Sequence, residues 1–270
     1  MENKAIVLDK NNSFVFSNSS ISSSVLDLNG VKGSVSLLVS ENENISLLIS
    51  NVNEDCELNI ELKDSSILKF SVLADKPLKQ FKITANVGQS SQIIGYFADF
   101  IPDQCHSEVT INLNKPYASC DWHLASLSEN KDNKKFDISA YHNAPNTVAH
   151  LDNYGVCRDD GKLVFSGICQ IVKGSHGSKA HQNAKIMVFD KVSNGIAKPI
   201  LKIDENDIEA SHAAVVGKIN DEHIFYLTSR GLTIDEAKRL ITLGYLKPIM
   251  IGFDDENIRK QIEGLIEGKM

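Results

Sequence analysis

The sequence predicts a mainly β protein, a β-solenoid that ends in a short helical tail, on three observations. Short strand-like segments recur roughly every ten to fifteen residues along the first half of the chain, several with the period-two alternation of a half-buried strand. The stretches between them are turn compositions rich in Asn, Asp and Ser, with no helical pattern intervening. The chain also holds only 1 Trp, 6 Pro and 7% aromatic residues in 270 positions, which suits a repetitive β architecture better than an aromatic-rich sandwich or barrel.

The first strands are read at Val35–Val39, Ile45–Ile49, Leu58–Leu62, Ile67–Leu73 and Phe81–Val87, separated by SENEN, NVNED, KDSS and ADKPLK. Further strands are expected at Glu108–Leu113, Ala118–Ala125, Lys135–His142, Lys162–Val172, Ala184–Phe189 and Lys198–Ile203, and the charged run Glu129–Phe136 and the segment Lys173–Gln182 are read as exposed turns. The period then changes. Asn220 can cap a helix over Asp221–Ser229, with Gly231 placed for a left-handed C-terminal residue. Thr233 and Glu236 form a capping box for a second helix over 233–250, and Ile258, Ile262, Leu265 and Ile266 define one face of a third over 254–268. The expected division is a β body over 1–217 and a helical domain over 218–270.

A net charge of −7, from 28 Lys+Arg against 35 Asp+Glu, argues against nucleic acid and against anionic membrane surfaces as partners. No apolar run approaches the roughly eighteen residues of a membrane span, and the N-terminus lacks a secretory apolar region, so a cytoplasmic location is expected. The cysteines Cys56, Cys105, Cys120, Cys157 and Cys169 are odd in number and form no CxxC pair, which disfavours a disulfide framework or a local zinc knuckle and leaves them as core thiols. Gly155 to Leu163 falls short of a phosphate-binding loop because five residues separate its glycines and Leu163 stands where Ser or Thr is needed. Metalloprotease, serine-hydrolase and dinucleotide motifs are absent as well.

From His142 to Met250 the residues become specific. Val164-Phe-Ser-Gly167, His181-Gln182, the strand Lys198–Ile203, the run Asp207-Ile-Glu-Ala-Ser-His-Ala-Ala-Val-Val-Gly217 and the run Ile224-Phe-Tyr-Leu-Thr-Ser-Arg-Gly-Leu232 together resemble the SufB/SufD family, scaffold subunits of the SUF iron–sulfur cluster assembly system. The resemblance implies a right-handed parallel β-helix, a C-terminal helical domain that docks on the ABC-type ATPase SufC, and a member short of the helical N-terminal region usual in the family. SufB-like chains place a Cys after the Gln equivalent to Gln182 and a Glu after the His equivalent to His212. Here these positions hold Asn183 and Ala213, which offer neither thiolate nor carboxylate. The run Ser211–Gly217 is similar to the SufD pattern SHGATVG, so the chain falls on the SufD side.

The resemblance points to His212 as the residue that contributes to a transient iron–sulfur cluster, or iron, at the interface with a SufB-like paralogue. A neutral imidazole is a suitable borderline ligand for iron. The plainer reading is an interface histidine that only hydrogen-bonds its neighbours. Ser211, Phe225, Tyr226, Arg230 and Gly231 complete the candidate partner contacts, with Phe225 and Leu227 read first as an apolar helix face packed on the β body. Arg230 either answers the helix dipole or reaches the ATPase. No cofactor is expected to stay bound to the isolated chain, no catalytic residue is assigned, and ATP hydrolysis is left to the SufC partner. The alternatives are a β-helix homodimer with a structural role, or a β-helix enzyme acting on polysaccharide. The latter would call for clustered Asp and aromatic sugar platforms.

Overall fold

The computed structural model describes residues 4–17, 23–52, 54–78 and 80–268. The chain alternates between two parallel sheets at each step, the layout of a β-solenoid with two strands per coil. One sheet holds the odd strands β1 (Lys4–Ala5), β3 (Ser23–Asp27), β5 (Asn44–Ser50), β7 (Ile67–Ala74), β9 (Gln92–Asp99), β11 (Ser119–Ser128), β13 (Val148–Cys157), β15 (Ser178–Val188) and β17 (Ile208–Lys218). The other holds β2 (Ser13–Phe16), β4 (Gly33–Val39), β6 (Cys56–Leu62), β8 (Gln80–Val87), β10 (His106–Leu113), β12 (Asn133–His142), β14 (Lys162–Ile171) and β16 (Asn194–Ile203). The expected strands fall on β4–β8, β10–β12 and β14–β16 to within a residue at their ends. β1, β2, β3, β9, β13 and β17 are additional, and β15 begins at Ser178, so His181 sits on a strand rather than in the anticipated loop.

Each residue lies over its counterpart one coil away. Ser13 pairs with Ser36, 23 residues on, and Lys162 with Asn194, 32 residues on, so the coils lengthen toward the C-terminal end. Alternate residues of β4 through β15 turn inward and form one continuous core, with Leu37, Leu58, Phe81, Phe97, Trp122, Phe136 and Phe165 all at 2% exposure or less. All five cysteines are buried and unpaired. Burial pushes the Cys56 and Cys157 thiols up to about 11 and that of Cys169 up to about 12, so they remain protonated at neutral pH.

One corner of the solenoid is a stack of left-handed residues. Asn42, Ser65, Ser90, Tyr117, Asn146 and Gly177 follow one another coil by coil, all with φ between 53° and 69°. Each donates its backbone N–H to the next coil, as Ser65 does to Gln89 at 2.8 Å and Gly177 to Asp207 at 2.7 Å. Short polar side chains tolerate this conformation. At Gly177 a Cβ would also fall 2.3 Å from Asn146 Oδ1, so any larger residue there displaces the Asn146 side chain.

The charged run at 129–136 departs from expectation. Lys134 begins the inward series of β12 and is fully buried, as are Glu129 and Asp132 to within 7%. Lys134 Nζ lies 2.9 Å from Asp99 Oδ2, which also accepts from Ser126 Oγ at 2.9 Å. A local charge count misses this because the partner sits 35 residues earlier, one coil away. His142 is the second buried polar centre. Its Nδ1 lies 2.8 Å from Thr147 Oγ1, and burial pulls its imidazole down to about 4.

The helices follow β17 directly. α1 (Asp221–Ser229) is capped by Asn220, α2 (Ile234–Leu246) carries the capping box of Thr233 and Glu236, and α3 (Glu256–Glu267) is capped by Asp255. The expected helix over 233–250 stops at Leu246, and a 3₁₀ turn (Lys247–Gly252) with Pro248 near its start takes the chain back to the sheet. Leu246, Ile249, Phe253, Ile262 and Ile266 share a second core with Leu73, Ala98, Phe100, Ala125, Leu127 and Val156 on the outer face of the nine-stranded sheet. The tail is therefore built onto the solenoid rather than hung from it.

Two outcomes follow. Lys134→Ala strands a buried carboxylate and is expected to cost about 3–5 kcal/mol in urea unfolding, whereas Lys134→Met combined with Asp99→Leu recovers most of that loss. Because His142 titrates at about 4 when folded and near 6.5 when unfolded, the unfolded chain takes up its proton first as pH falls. The contribution is absent above pH 6.5, and acidification through that window toward pH 4 removes roughly 3 kcal/mol of stability that His142→Gln does not lose.

Candidate functional site

The solenoid has an uncapped end. β16 and β17 are the last strands of their sheets, each hydrogen-bonded on one side only, to β14 and β15 respectively. Ala197, Leu201, Ile208 and Ala210 still pack on the core, but the pattern of β17 is exposed on both faces because no further coil covers it. Ile200, Val215 and Val216 are 45%, 51% and 46% exposed. His212 lies in this strand, exposed, and in register over Gln182, which belongs to the buried inward series of β15. His212 thus stands at the mouth of the lumen on its inward side. Ser211 faces the other way, where its Oγ meets His181 Nδ1 at 2.7 Å. Asn183 and Ala213 share that outward face, Asn183 donating to Asp152 Oδ1 at 2.7 Å.

The outward face carries an array that inspection of single residues missed. Asp121-Trp-His123 on β11, His150-Leu-Asp152 on β13 and His181-Gln-Asn183 on β15 stack in register, so acid and imidazole alternate along and across β11 and β13, while β15 sets His181 over His150 and Asn183 over Asp152. His150 Nδ1 lies 2.9 Å from Asp121 Oδ1, His123 Nδ1 lies 3.9 Å from Asp152 Oδ2, and the rings of His150 and His181 stack at 5.2 Å. The signal in the sequence is a polar pair two residues apart repeated at the coil spacing. Burial lowers the His123 imidazole below its ordinary value, more than Asp152 and Asp121 raise it. Among the described residues no three His, Cys, Asp or Glu side chains converge to hold a metal ion.

Beside this array the tail leaves a cleft of about 750 Å³, floored by Tyr96, His123, Asp152 and Tyr154 and walled by Tyr245 and the 3₁₀ turn. Tyr96 stacks on His123 at 4.7 Å, and Tyr154 meets Tyr245 edge-on at 5.5 Å. Burial, with Tyr154 nearby, pushes the Tyr245 phenol up to about 12. The far side of the tail is strapped down: Ser71 Oγ donates to the Gly252 carbonyl at 2.5 Å, and Asp254 takes Lys69 at 2.7 Å and Ser46 at 2.9 Å. Gly252 passes so close to Tyr96 that a Cβ would lie 2.1 Å from the ring.

α1 presents a second surface. It buries no residue; Phe225 is 74% and Tyr226 57% exposed, and the Arg230 guanidinium lies over the Tyr226 ring at 5.3 Å. Packing of Phe225 on the β body, the reading preferred from sequence, is therefore overturned: the face that packs belongs to α2, the 3₁₀ turn and α3, whereas Leu227 is only half-buried. Gly231 adopts φ of 99° and ends the helix as expected. Ile234 and Leu240 of α2, at 57% and 50% exposure, extend the apolar surface.

A family model described as "SUF system FeS cluster assembly, SufBD core domain" matches residues 37–245. The chain belongs to the SufBD family. Among curated members of the family it is similar to the iron-sulfur cluster assembly protein SufD of Bacillus subtilis (strain 168), 31% identical over 164 residues that make up 61% of this chain and 38% of that protein. It is also similar to a SufBD family protein of Mycobacterium tuberculosis (strain H37Rv), 37% identical over 108 residues, 40% of this chain and 13% of the relative. A SufBD family protein of Staphylococcus saprophyticus is 30% identical over 107 residues, 40% of this chain and 23% of its own length. The chain spans well under half the length of these SufBD relatives. The match takes in the solenoid from β4 onward together with α1 and most of α2, and no helix among the described residues is long and apolar enough to cross a membrane.

Gly252→Ala forces the 3₁₀ turn off Tyr96. It is expected to destabilise the protein by about 1–3 kcal/mol and to speed amide exchange in α3 while leaving exchange in β10, β12 and β14 of the other sheet unchanged. Exchange that rises equally in both regions would contradict the strap.

Proposed function

We propose that this chain is a SufD-like, non-enzymatic subunit of an iron–sulfur cluster assembly scaffold, working in the cytoplasm. It pairs through its open solenoid end with a SufB-like paralogue and binds a SufC-like ATPase through α1 and the adjoining face of α2. The observation that carries this reading is the uncapped end: two in-register strands with unpaired edges, exposed apolar side chains and an imidazole at the lumen mouth. Such an edge is a template for another chain, and natural proteins cover or blunt it. Isolated copies can satisfy the same edges by pairing with each other, which makes a homodimer the expected resting form in the absence of the paralogue.

Iron or a nascent cluster is cargo at this junction. His212 supplies one borderline nitrogen ligand, and because among the described residues no three His, Cys, Asp or Glu groups converge to hold a metal ion, the ligand set is completed by the partner. Asn183 and Ala213 support the SufD-like assignment, since neither can provide the thiolate or carboxylate of a SufB-like chain, and every cysteine here is buried and protonated. The similarity to the Bacillus subtilis SufD points the same way. On α1 the exposed Phe225 and Tyr226, with Arg230 stacked over the latter, supply the aromatic and Arg anchors typical of protein interfaces.

Co-expression with SufB- and SufC-like partners tests the reading. Co-purification of both is expected; capture of neither overturns it. Val215→Lys with Val216→Lys should release the paralogue and keep the ATPase, and Phe225→Ala with Tyr226→Ala should do the reverse. His212→Ala should leave the complex and its thermal midpoint intact and lower reconstituted cluster yield by at least about tenfold. Undiminished yield returns His212 to an interface contact.

A further inference from the structure

Gln182 is buried to 2% exposure, yet its side-chain Oε1 has no hydrogen-bond partner among the described residues. Its inward neighbours along β15 are Ser178, Ala180, Ala184 and Ile186, small or apolar, and across the sheet its row runs Trp122, Leu151, Gln182, His212. An unpaired carbonyl in such a place is a net cost that Leu or Met of similar volume would avoid. On one side the row offers Leu151, which has no donor. On the other it offers His212, a strand spacing away and exposed at the mouth.

We propose that Gln182 is the positioning residue for His212. When a partner covers the mouth, one ring N–H of the imidazole donates to the Gln182 carbonyl. This fixes the tautomer and turns the lone pair of the other ring nitrogen out toward the cargo. Oriented imidazole ligands in metal sites are held in this way, by a group behind the ring that accepts from the nitrogen not facing the metal. An amide suits the task because it does not titrate, so the tautomer it selects is the same across the physiological pH range. Outward residues of the same strand cannot serve: Asn183 is turned to the opposite face and engaged with Asp152, and His181 with Ser211. The pairing is not closed in the free chain, where Oε1 stands alone, and closure is coupled to assembly.

The inference rests on the reading of His212 as a ligand, and the test separates the two. The complex with the SufB-like partner is titrated with Co(II), a spectroscopic probe for the ferrous site, for wild type, Gln182→Leu, His212→Ala and the double variant. Gln182→Leu is expected to weaken Co(II) binding roughly 10- to 100-fold with a thermal midpoint equal to or above wild type, and to add nothing in the His212→Ala background. Gln182→Glu, which also accepts, should restore binding. An unaffected Gln182→Leu complex, or an equal loss in both backgrounds, overturns the proposal while leaving His212 as ligand. If His212→Ala binds Co(II) as wild type does, the ligand reading fails instead. Imidazole ¹⁵N shifts of the metal-free complex then decide the orientation alone: a single His212 tautomer that becomes mixed in Gln182→Leu supports it, and a mixture already present in wild type overturns it.

Discussion

Parallel, in-register stacking governs this molecule. Because each coil sits on the one before, a residue's neighbours are those one coil away at the same register position, and the solenoid is stabilised contact by contact along a single axis. The same geometry that satisfies every interior strand leaves the end strands satisfied on one side only, β16 and β17 at one end and β1 and β2 at the other. A stack of this kind cannot terminate itself. An exposed final coil is a template for another chain unless it is capped, covered or blunted.

The tail does not provide that cover. Its apolar residues, Leu246, Ile249, Phe253, Ile262 and Ile266, are spent on the outer face of the nine-stranded sheet, over Leu73, Ala98 and Ala125, and strapped there by Gly252 and Asp254. The chain thus keeps its lumen mouth open and presents α1 as a separate exposed face. Two surfaces of different character result: one made of strand edges with an imidazole at its centre, the other a helix bearing exposed aromatic side chains.

Much of the architecture was legible in the sequence because it is local. Alternation fixed the strands around Val35, Ile45 and Leu58, and the capping residues Asn220 and Thr233 fixed two helix starts, since each depends on side chains within a few positions. What escaped depended on the coil-to-coil dimension. β13 carries His150 and Asp152 on its outer face, which hides it from an apolar scan, β9 is nearly apolar on both faces around Gly95, and β17 has apolar residues on both faces and so shows no clean alternation. Lys134 looked like surface charge because Asp99 is distant in sequence. The array of Asp121, His123, His150 and Asp152 becomes visible only when segments 29 residues apart are aligned, and the orphaned carbonyl of Gln182 only in three dimensions.

The candidate ligand, by contrast, came from resemblance, since no spacing rule singles out one histidine among eight. Its position at the mouth gives that resemblance a physical setting: an imidazole on the last coil, above a buried amide and beside an unpaired strand edge. The central claim is that this end of the solenoid is completed by another chain, and amide hydrogen exchange of β16 and β17 with and without the SufB-like partner tests it most directly. The account predicts strong added protection across residues 194–218, greatest on the edge amides of β17, with β4–β8 unchanged. Protection confined to the helices beyond residue 220, with β17 exchanging as freely as in the isolated chain, would contradict it.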